Sequence, residues 1–284
     1  MAVKTIISAS RRTDLPKYHY SWLQQVLAEG QAVVANPRFS EKCTMVNLRP
    51  ENVHSIVLWS KDFANVANAV GQLAGYNLYF QYTINNYAKR LEPNVPEYYQ
   101  SLDTLERLLV TYRPEQFNIR FDPVMISTWG ELTPTTKKPG QARLLAFTAL
   151  CRDLASLGMQ NARITTSYVE MYRHVKKRLG AAQLKVIDLN QNLQIRFFVI
   201  MAEIAASYGF KLYACASSIL AEVPGIIGGR CIDGYLLESL FGGKVSKAKD
   251  TGQRSSCQCH KSTDIGDYHK LCGGGCLYCY ATWS

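Results

Sequence analysis

DLASLG (153–158), followed after three residues by ARITTS (162–167), carries the pattern that decides the fold. A helix-period segment closes on a glycine, the residue that most readily adopts the left-handed conformation ending a helix, and a β-rich run begins a few residues later. The same order recurs in VLAEG (26–30) before AVVANP (32–37), in QLAGY (72–76) before LYFQYTIN (78–85), and in AASYG (205–209) before KLYACASS (211–218). So short a step from helix to strand is typical of αβ units. Trp22, Leu23, Val26 and Leu27 share one helical face, as do Leu102, Leu105, Leu108, Leu109 and Tyr112, and, less strictly, Leu144, Leu145, Cys151, Leu154 and Leu157. Seven strands are expected, near 5–9, 32–36, 55–59, 78–84, 117–121, 162–166 and 211–215. Strands alternating with helices imply an α/β fold with a mainly parallel sheet, and seven such units favour a complete or partial (β/α) TIM-like barrel over an open Rossmann sheet. No GxGxxG follows the first strand, so dinucleotide binding has no support.

The runs end in SRRTD, ANP, WSKD, QYTIN, RFDP, TTS and ASS, which collects polar and charged groups at the C-terminal ends of the strands. Barrel enzymes build their active sites at that end. Ser8, Ser10, Arg11, Arg12, Asp14, Trp59, Lys61, Gln81, Thr83, Arg120, Asp122, Thr165 and Ser167 would then line one cavity. Asp, Asn, Ser and Thr are also favoured at strand exits and helix caps for local reasons. Arg120 and Asp122 are harder to explain that way, because they interrupt the apolar strand FNIRFDPV (117–124).

The chain of 284 residues is 47% hydrophobic, enough for one large domain with a full core. No stretch approaches the roughly 20 apolar residues of a membrane span, and the N-terminus has no signal-peptide pattern, so a soluble cytoplasmic protein is expected. With 32 Lys and Arg against 22 Asp and Glu, the net charge of +10 suits an anionic partner, either a phosphate-bearing substrate or nucleic acid. The basic residues are dispersed, the densest groups being Arg11-Arg12, Lys137-Lys138 and Arg173 to Arg178. LTPTTKKPG (132–140) reads as an exposed loop.

Five of the nine cysteines, Cys257, Cys259, Cys272, Cys276 and Cys279, fall within 23 residues near the C-terminus, while Cys43, Cys151, Cys215 and Cys231 are scattered. Clustered cysteines in a large chain without a secretory signal point to metal binding or redox chemistry rather than to disulfides. After Phe241 the composition turns polar in GGKVSKAKDTGQRSS (242–256), which divides the chain into a barrel-like part, 1–241, and a linker with a cysteine-rich tail, 242–284, belonging to the same domain. In CGGGCLYCY (272–280), thiolates two or three residues apart can turn inward around a small inorganic core, and the glycines allow the tight backbone this needs. Three protein ligands leave one iron of a four-iron cluster open, as a reactive cluster requires. A structural zinc site using Cys257, Cys259 or His260 with the later cysteines is the alternative. His260 and His269 otherwise read as exposed polar residues.

CxxxCxxC with an aromatic before the last cysteine is similar to the cluster motif of the radical S-adenosylmethionine superfamily. That resemblance implies a 4Fe-4S cluster on Cys272, Cys276 and Cys279, with S-adenosylmethionine on the open iron and its reductive cleavage to a carbon radical. It also implies a reductant such as ferredoxin or flavodoxin. The superfamily carries its motif after the first strand, whereas here it lies five residues from the C-terminus. A tail folded back over the barrel mouth, or a circular permutation, would restore its place. End to end the chain resembles the uncharacterised family known as DUF1848, through ISASRRTD, ANP, LWSKD, FQYTIN, RFDP, CID (231–233), QRSSCQC, STDIGDY and CGGGCLYCYA. By their strand-end position, Arg120, Asp122 and Lys61 are candidate catalytic residues, and Arg11, Arg12, Asp14 and Gln81 candidates for holding cofactor. The role of Cys257 and Cys259 stays open between a fourth ligand, another metal and free thiols. The rival reading is a non-catalytic cluster or zinc protein with a basic surface for nucleic acid.

Overall fold

The structure, a computed structural model, describes residues 2–36, 39, 41–127 and 140–281. In chain order its elements are β1 (Thr5–Ala9), α1 (Leu15–Tyr18), α2 (Tyr20–Glu29), β2 (Gln31–Ala35), β3 (Cys43–Asn47), β4 (Val53–Ser60), α3 (Ala64–Asn68) and β5 (Leu78–Thr83). There follow α4 (Tyr98–Leu109), β6 (Phe117–Val124), α5 (Gln141–Ser156), β7 (Arg163–Tyr168), α6 (Arg173–Ala181), α7 (Gln191–Ser207), β8 (Leu212–Cys215), α8 (Ser218–Ala221), β9 (Ile226–Gly229), α9 (Gly234–Phe241) and β10 (Thr263–Asp264). Eight strands form one parallel sheet in the order β10-β1-β4-β5-β6-β7-β8-β9. From β1 to β9 each strand lies beside the next one of that sheet, so the chain winds in one direction across it. Among the described residues no pairing joins the edge strands β9 and β10, and no closed barrel forms.

Strand side chains alternate between two faces, and the two faces meet different partners. Ile7, Ile56, Leu58, Phe80, Tyr82, Ile119, Phe121, Ile164 and Leu212 point into the main core with Leu23 and Leu27 of α2, Leu105 and Leu108 of α4, Phe147 and Leu154 of α5, and Phe198 and Met201 of α7. The opposite face carries Ile6, Val57 and Tyr79 into a smaller cluster with Cys231, Ile232, Leu237, Val245, Cys257 and Cys259. The sheet is therefore covered by helices on one side and by α9 and the C-terminal segment on the other.

Several expectations change. The run at 32–36 does form a strand, β2, but it leaves the main sheet and pairs antiparallel with β3. Only alternate residues of β2 are buried, and Val33 stays 63% exposed, as suits a two-stranded ribbon with one covered face. β3, β9 and β10 were not expected, because β9 ends in two glycines and β10 has two residues, too short for a periodicity. Gly30, Gly158 and Gly209 take positive φ of 72°, 71° and 84° after α2, α5 and α7, whereas Gly75 follows only a short 3-10 turn, Val70–Leu73, and keeps an ordinary φ. Leu145 departs from the apolar face of α5 and is exposed. The loop expected at 132–140 and the pair Lys137-Lys138 lie, except for Gly140, outside the described residues, as does Pro37 of the ANP exit.

Candidate functional site

On β6 the alternation turns Phe117, Ile119 and Phe121 toward the helices and leaves Asn118, Arg120 and Asp122 on the other face. Buried polar groups there need partners, and these residues find them in one network. Gln81 Oε1 accepts from Asn118 Nδ2 at 2.8 Å and from Arg120 Nη1 at 3.2 Å, while Gln81 Nε2 donates to the Cys231 carbonyl at 2.5 Å. Thr165 Oγ1 donates to Asn118 Oδ1 at 2.7 Å, and Ser167 donates to Asp122. Arg120 also donates to Asp122, donates to Cys231 Sγ at 2.9 Å and lies over the Trp59 ring at 5.4 Å. Burial opposes the Arg120 charge, but Asp122 and Cys231 overcome it and hold the guanidinium protonated.

The exit of β1 is organised by a residue that sequence reasoning missed. Asp264 in β10 accepts from Ser8 Oγ at 2.7 Å, Ser10 Oγ at 2.5 Å and the Arg11 amide at 2.9 Å. Arg11 donates further to Asp250 at 3.0 Å and Ser262 at 3.2 Å, and Arg12 to the Gly266 carbonyl at 3.0 Å. The two arginines thus grip the C-terminal segment. Asp14 caps α1 through the Lys17 amide and accepts from Ser60 Oγ and the Lys61 amide, yet burial pushes its carboxyl up to about 6.

The CGGGCLYC loop sits beside the residues that follow β1, β4 and β5. Lys61, one residue past β4, donates to Glu92 Oε1 at 2.7 Å and to the Tyr278 hydroxyl at 2.9 Å, and Asn85, past β5, donates to the same hydroxyl at 2.9 Å. Tyr278 also donates to Glu92. The backbone is anchored by Leu277 N to Leu91 O at 3.0 Å, by Asn94 Nδ2 to Gly273 O at 2.7 Å and by Arg178 Nε to Leu277 O at 3.1 Å. Burial pushes the Cys276 thiol up to about 12, against the pull of Lys61, and raises that of Cys272. A β-carbon on Gly274 would lie 3.5 Å from Cys272 Sγ and 3.7 Å from Cys276 Sγ, so glycine leaves the space beside both thiols free.

Cys257 and Cys259 belong to another buried cluster from that of Cys276 and Tyr278. Their cluster also holds Cys231 with Cys215 packed against it, two cysteines that read as scattered in the sequence, and Cys231 lies 3.2 Å from Cys215, Sγ to Sγ. Hydrogen bonds from Cys215 and Cys259, then the Arg120 charge, hold the Cys231 thiol well below its ordinary range, while Cys215 is raised. His260 is buried rather than exposed, and its Nδ1 accepts from the Gly234 amide at 2.8 Å. Among the described residues no group of three or more His, Cys, Asp or Glu side chains is arranged to hold a metal ion.

A family model described as a domain of unknown function, DUF1848, matches residues 6–281. The chain belongs to the DUF1848 family. The match runs from β1 through the cysteine loop, so the sheet, the Arg120 network and both cysteine groups all lie inside the DUF1848 region. A search of curated proteins returned no significant match. No described helix is long and apolar enough to cross a membrane.

Proposed function

We propose that this DUF1848 protein carries a 4Fe-4S cluster on Cys272, Cys276 and Cys279 and acts as a radical S-adenosylmethionine-like enzyme on an anionic substrate. The observation that carries the reading is the seating of the CGGGCLYC loop against Lys61, Glu92 and Tyr278 at the strand exits, with Gly274 keeping the space beside two of its thiols clear. Thiolates gathered at a cluster need nearby positive charge, and Lys61 is close enough to Cys276 and Cys279 for both to act on its own protonation. Tyr278, between Lys61 and Glu92, ties the loop to that charge. When bound, such a cluster supplies the electron for reductive cleavage of S-adenosylmethionine.

The remaining roles fall to residues of the polar sheet face. Arg120, fixed by Gln81 and Asp122, offers a rigid guanidinium to an anionic group, with Trp59 beneath it excluding water from that side. Arg11 and Arg12 hold the C-terminal segment over the end of β1, and Asp14 orients Lys61 through the Lys61 amide. The one-way winding of the sheet from β1 to β9 supports reading it as a partial TIM-like barrel whose mouth the tail covers. A cytoplasmic setting with a ferredoxin or flavodoxin reductant follows from the same proposal.

Anaerobic reconstitution with iron and sulfide tests it. The expected result is a brown protein whose absorption and electron paramagnetic resonance spectra change on adding S-adenosylmethionine. Single Cys272→Ala, Cys276→Ala and Cys279→Ala variants should each lose the chromophore. Full iron occupancy in all three would overturn the ligand assignment. A cluster unaffected by S-adenosylmethionine would overturn the enzymatic reading.

A further inference from the structure

Where β8 and β9 end, the structure holds a cavity of about 560 Å³. That size falls within the roughly 300–1,000 Å³ of small-molecule sites. Ser217 lies two residues past β8 and Arg230 one residue past β9, which places the cavity at the C-terminal edge of the sheet, where α/β folds take their ligands. One wall is a pair of antiparallel segments, 247–250 against 259–261, in which Lys249 stands opposite His260. Directly opposed residues share a face, and the period of two adds Lys247 and Gln258 to it. The other face sends Cys259 into the cluster under the sheet and Asp250 to Arg11. Among the described residues no Asp or Glu lines the cavity. Lys247 is paired with Glu238 at 2.6 Å, but Lys249 donates to the Ser255 carbonyl at 2.8 Å and has no carboxylate partner among the described residues. Arg230 makes no hydrogen bond or ion pair among them either. The least exposed lining residue is His260, at 5%. Its Nδ1 accepts from the Gly234 amide at 2.8 Å, which leaves the ring proton on Nε2. Nε2 has no hydrogen-bond partner among the described residues and is not sealed from solvent, so its N–H gives onto the cavity that the ring lines. Donors on buried side chains are normally paired, and this one calls for an acceptor in the cavity.

We infer that this cavity binds the phosphate group of a small phosphorylated molecule, with Arg230, Lys249 and the His260 Nε2–H as its donors. A guanidinium meets phosphate oxygens with paired N–H groups, and a lysine adds a mobile point charge. The oxygen of Ser217 accepts from the Leu220 amide at 3.2 Å, so its hydroxyl proton is free to turn to the anion as well. Two cations without carboxylate partners match the nearly double negative charge of a phosphate monoester, whereas a carboxylate would leave one of them unmatched. A terminal phosphate can reach a donor as recessed as His260, while the backbone phosphates of a nucleic acid run along the surface. The site uses neither the tail thiols nor Arg120, so it stands independently of the cluster proposed above.

Isothermal titration calorimetry of the full chain, in chloride buffer at fixed ionic strength, tests this with inorganic phosphate and glycerol phosphate as probes and glycerol as the control. Both phosphates should bind saturably at one site per chain, and glycerol should not bind. Arg230→Ala, which breaks no hydrogen bond or ion pair among the described residues, should weaken both by about tenfold or more, the loss expected of one charge-assisted hydrogen bond. His260→Asn keeps an acceptor for the Gly234 amide and removes the Nε2 donor, so it should weaken phosphate binding with little change in melting temperature. Lys176→Ala/Lys177→Ala, which removes two exposed cations of α6, should bind phosphate like the unmodified protein. Absence of saturable binding, or an affinity unchanged by Arg230→Ala or by His260→Asn, overturns the inference, as does equal weakening in the α6 control. Displacement of phosphate by a short oligothymidylate without terminal phosphates overturns it in favour of nucleic acid. None of these readouts depends on iron content, so the cluster proposal stands or falls separately.

Discussion

Glu92 has almost no access to water, and what keeps it charged is Lys61 at 2.7 Å. Burial pushes its carboxyl up, but the Lys61 charge and the hydrogen bonds from Lys61 and Tyr278 outweigh that and leave it below the usual carboxylate value of 4.5. A carboxylate with a depressed folded-state pKa contributes stability above its unfolded value and loses it as pH falls through the folded one. Urea unfolding of the protein should therefore show stability declining below about pH 4.5, with Glu92→Gln flattening that limb. At neutral pH the same variant strands a buried ammonium and should cost about 3–5 kcal/mol. Lys61→Met/Glu92→Gln, which removes both charges, should recover part of the loss. A double variant no more stable than the single one would show that the pair is not coupled.

β10 has two residues, too few for ladder hydrogen bonds alone to hold it against β1. Its carboxylate does that instead, accepting from Ser8, Ser10, the Arg11 amide and, at 2.9 Å, the Gly266 amide. Asp264→Ala leaves these donors buried and unpaired, at about 1–3 kcal/mol for each lost partner, and should release the segment from β1. Limited proteolysis should then cut within 242–262 faster than in the unmodified protein. Next to it, a β-carbon on Gly266 would stand 1.8 Å from Ser10 Oγ, and one on Gly273 would stand 2.7 Å from the Tyr18 ring. Gly266→Ala and Gly273→Ala should each lower stability by about 1–3 kcal/mol, and Gly273→Ala should also lower iron occupancy after reconstitution. Gly71 is the control: nothing lies within 4 Å of its added carbon, so Gly71→Ala should unfold like the unmodified protein.

The sheet of the whole molecule has one face closed by helices and the other by residues from Cys231 onward. Removing 243–284 would take away β10 and the loop over Lys61, and would strip Val245, Cys257 and Cys259 from the cover over Ile6, Val57 and Tyr79. The truncated chain should melt well below the unmodified one, by more than the roughly 2–4 °C that 1 kcal/mol costs a domain of this size, and should bind a hydrophobic dye. Equal melting would mean that the tail is a mere appendage. Most strands of the parallel sheet were legible because αβ units write themselves locally, as a helical stripe, a closing glycine and a β-branched run within some twenty residues. The cysteine loop was legible for the same reason, its three thiols being neighbours in the chain. The departure of β2 into its own ribbon was not, since an apolar run of five residues reads alike whether one face or both are covered. Nor was the approach of Arg120 and Cys215 to Cys231, or the grip of Asp264 on β1. Those contacts join residues far apart in sequence, they exist only where the chain has wound across the sheet and returned along its first strand, and no local period records that return.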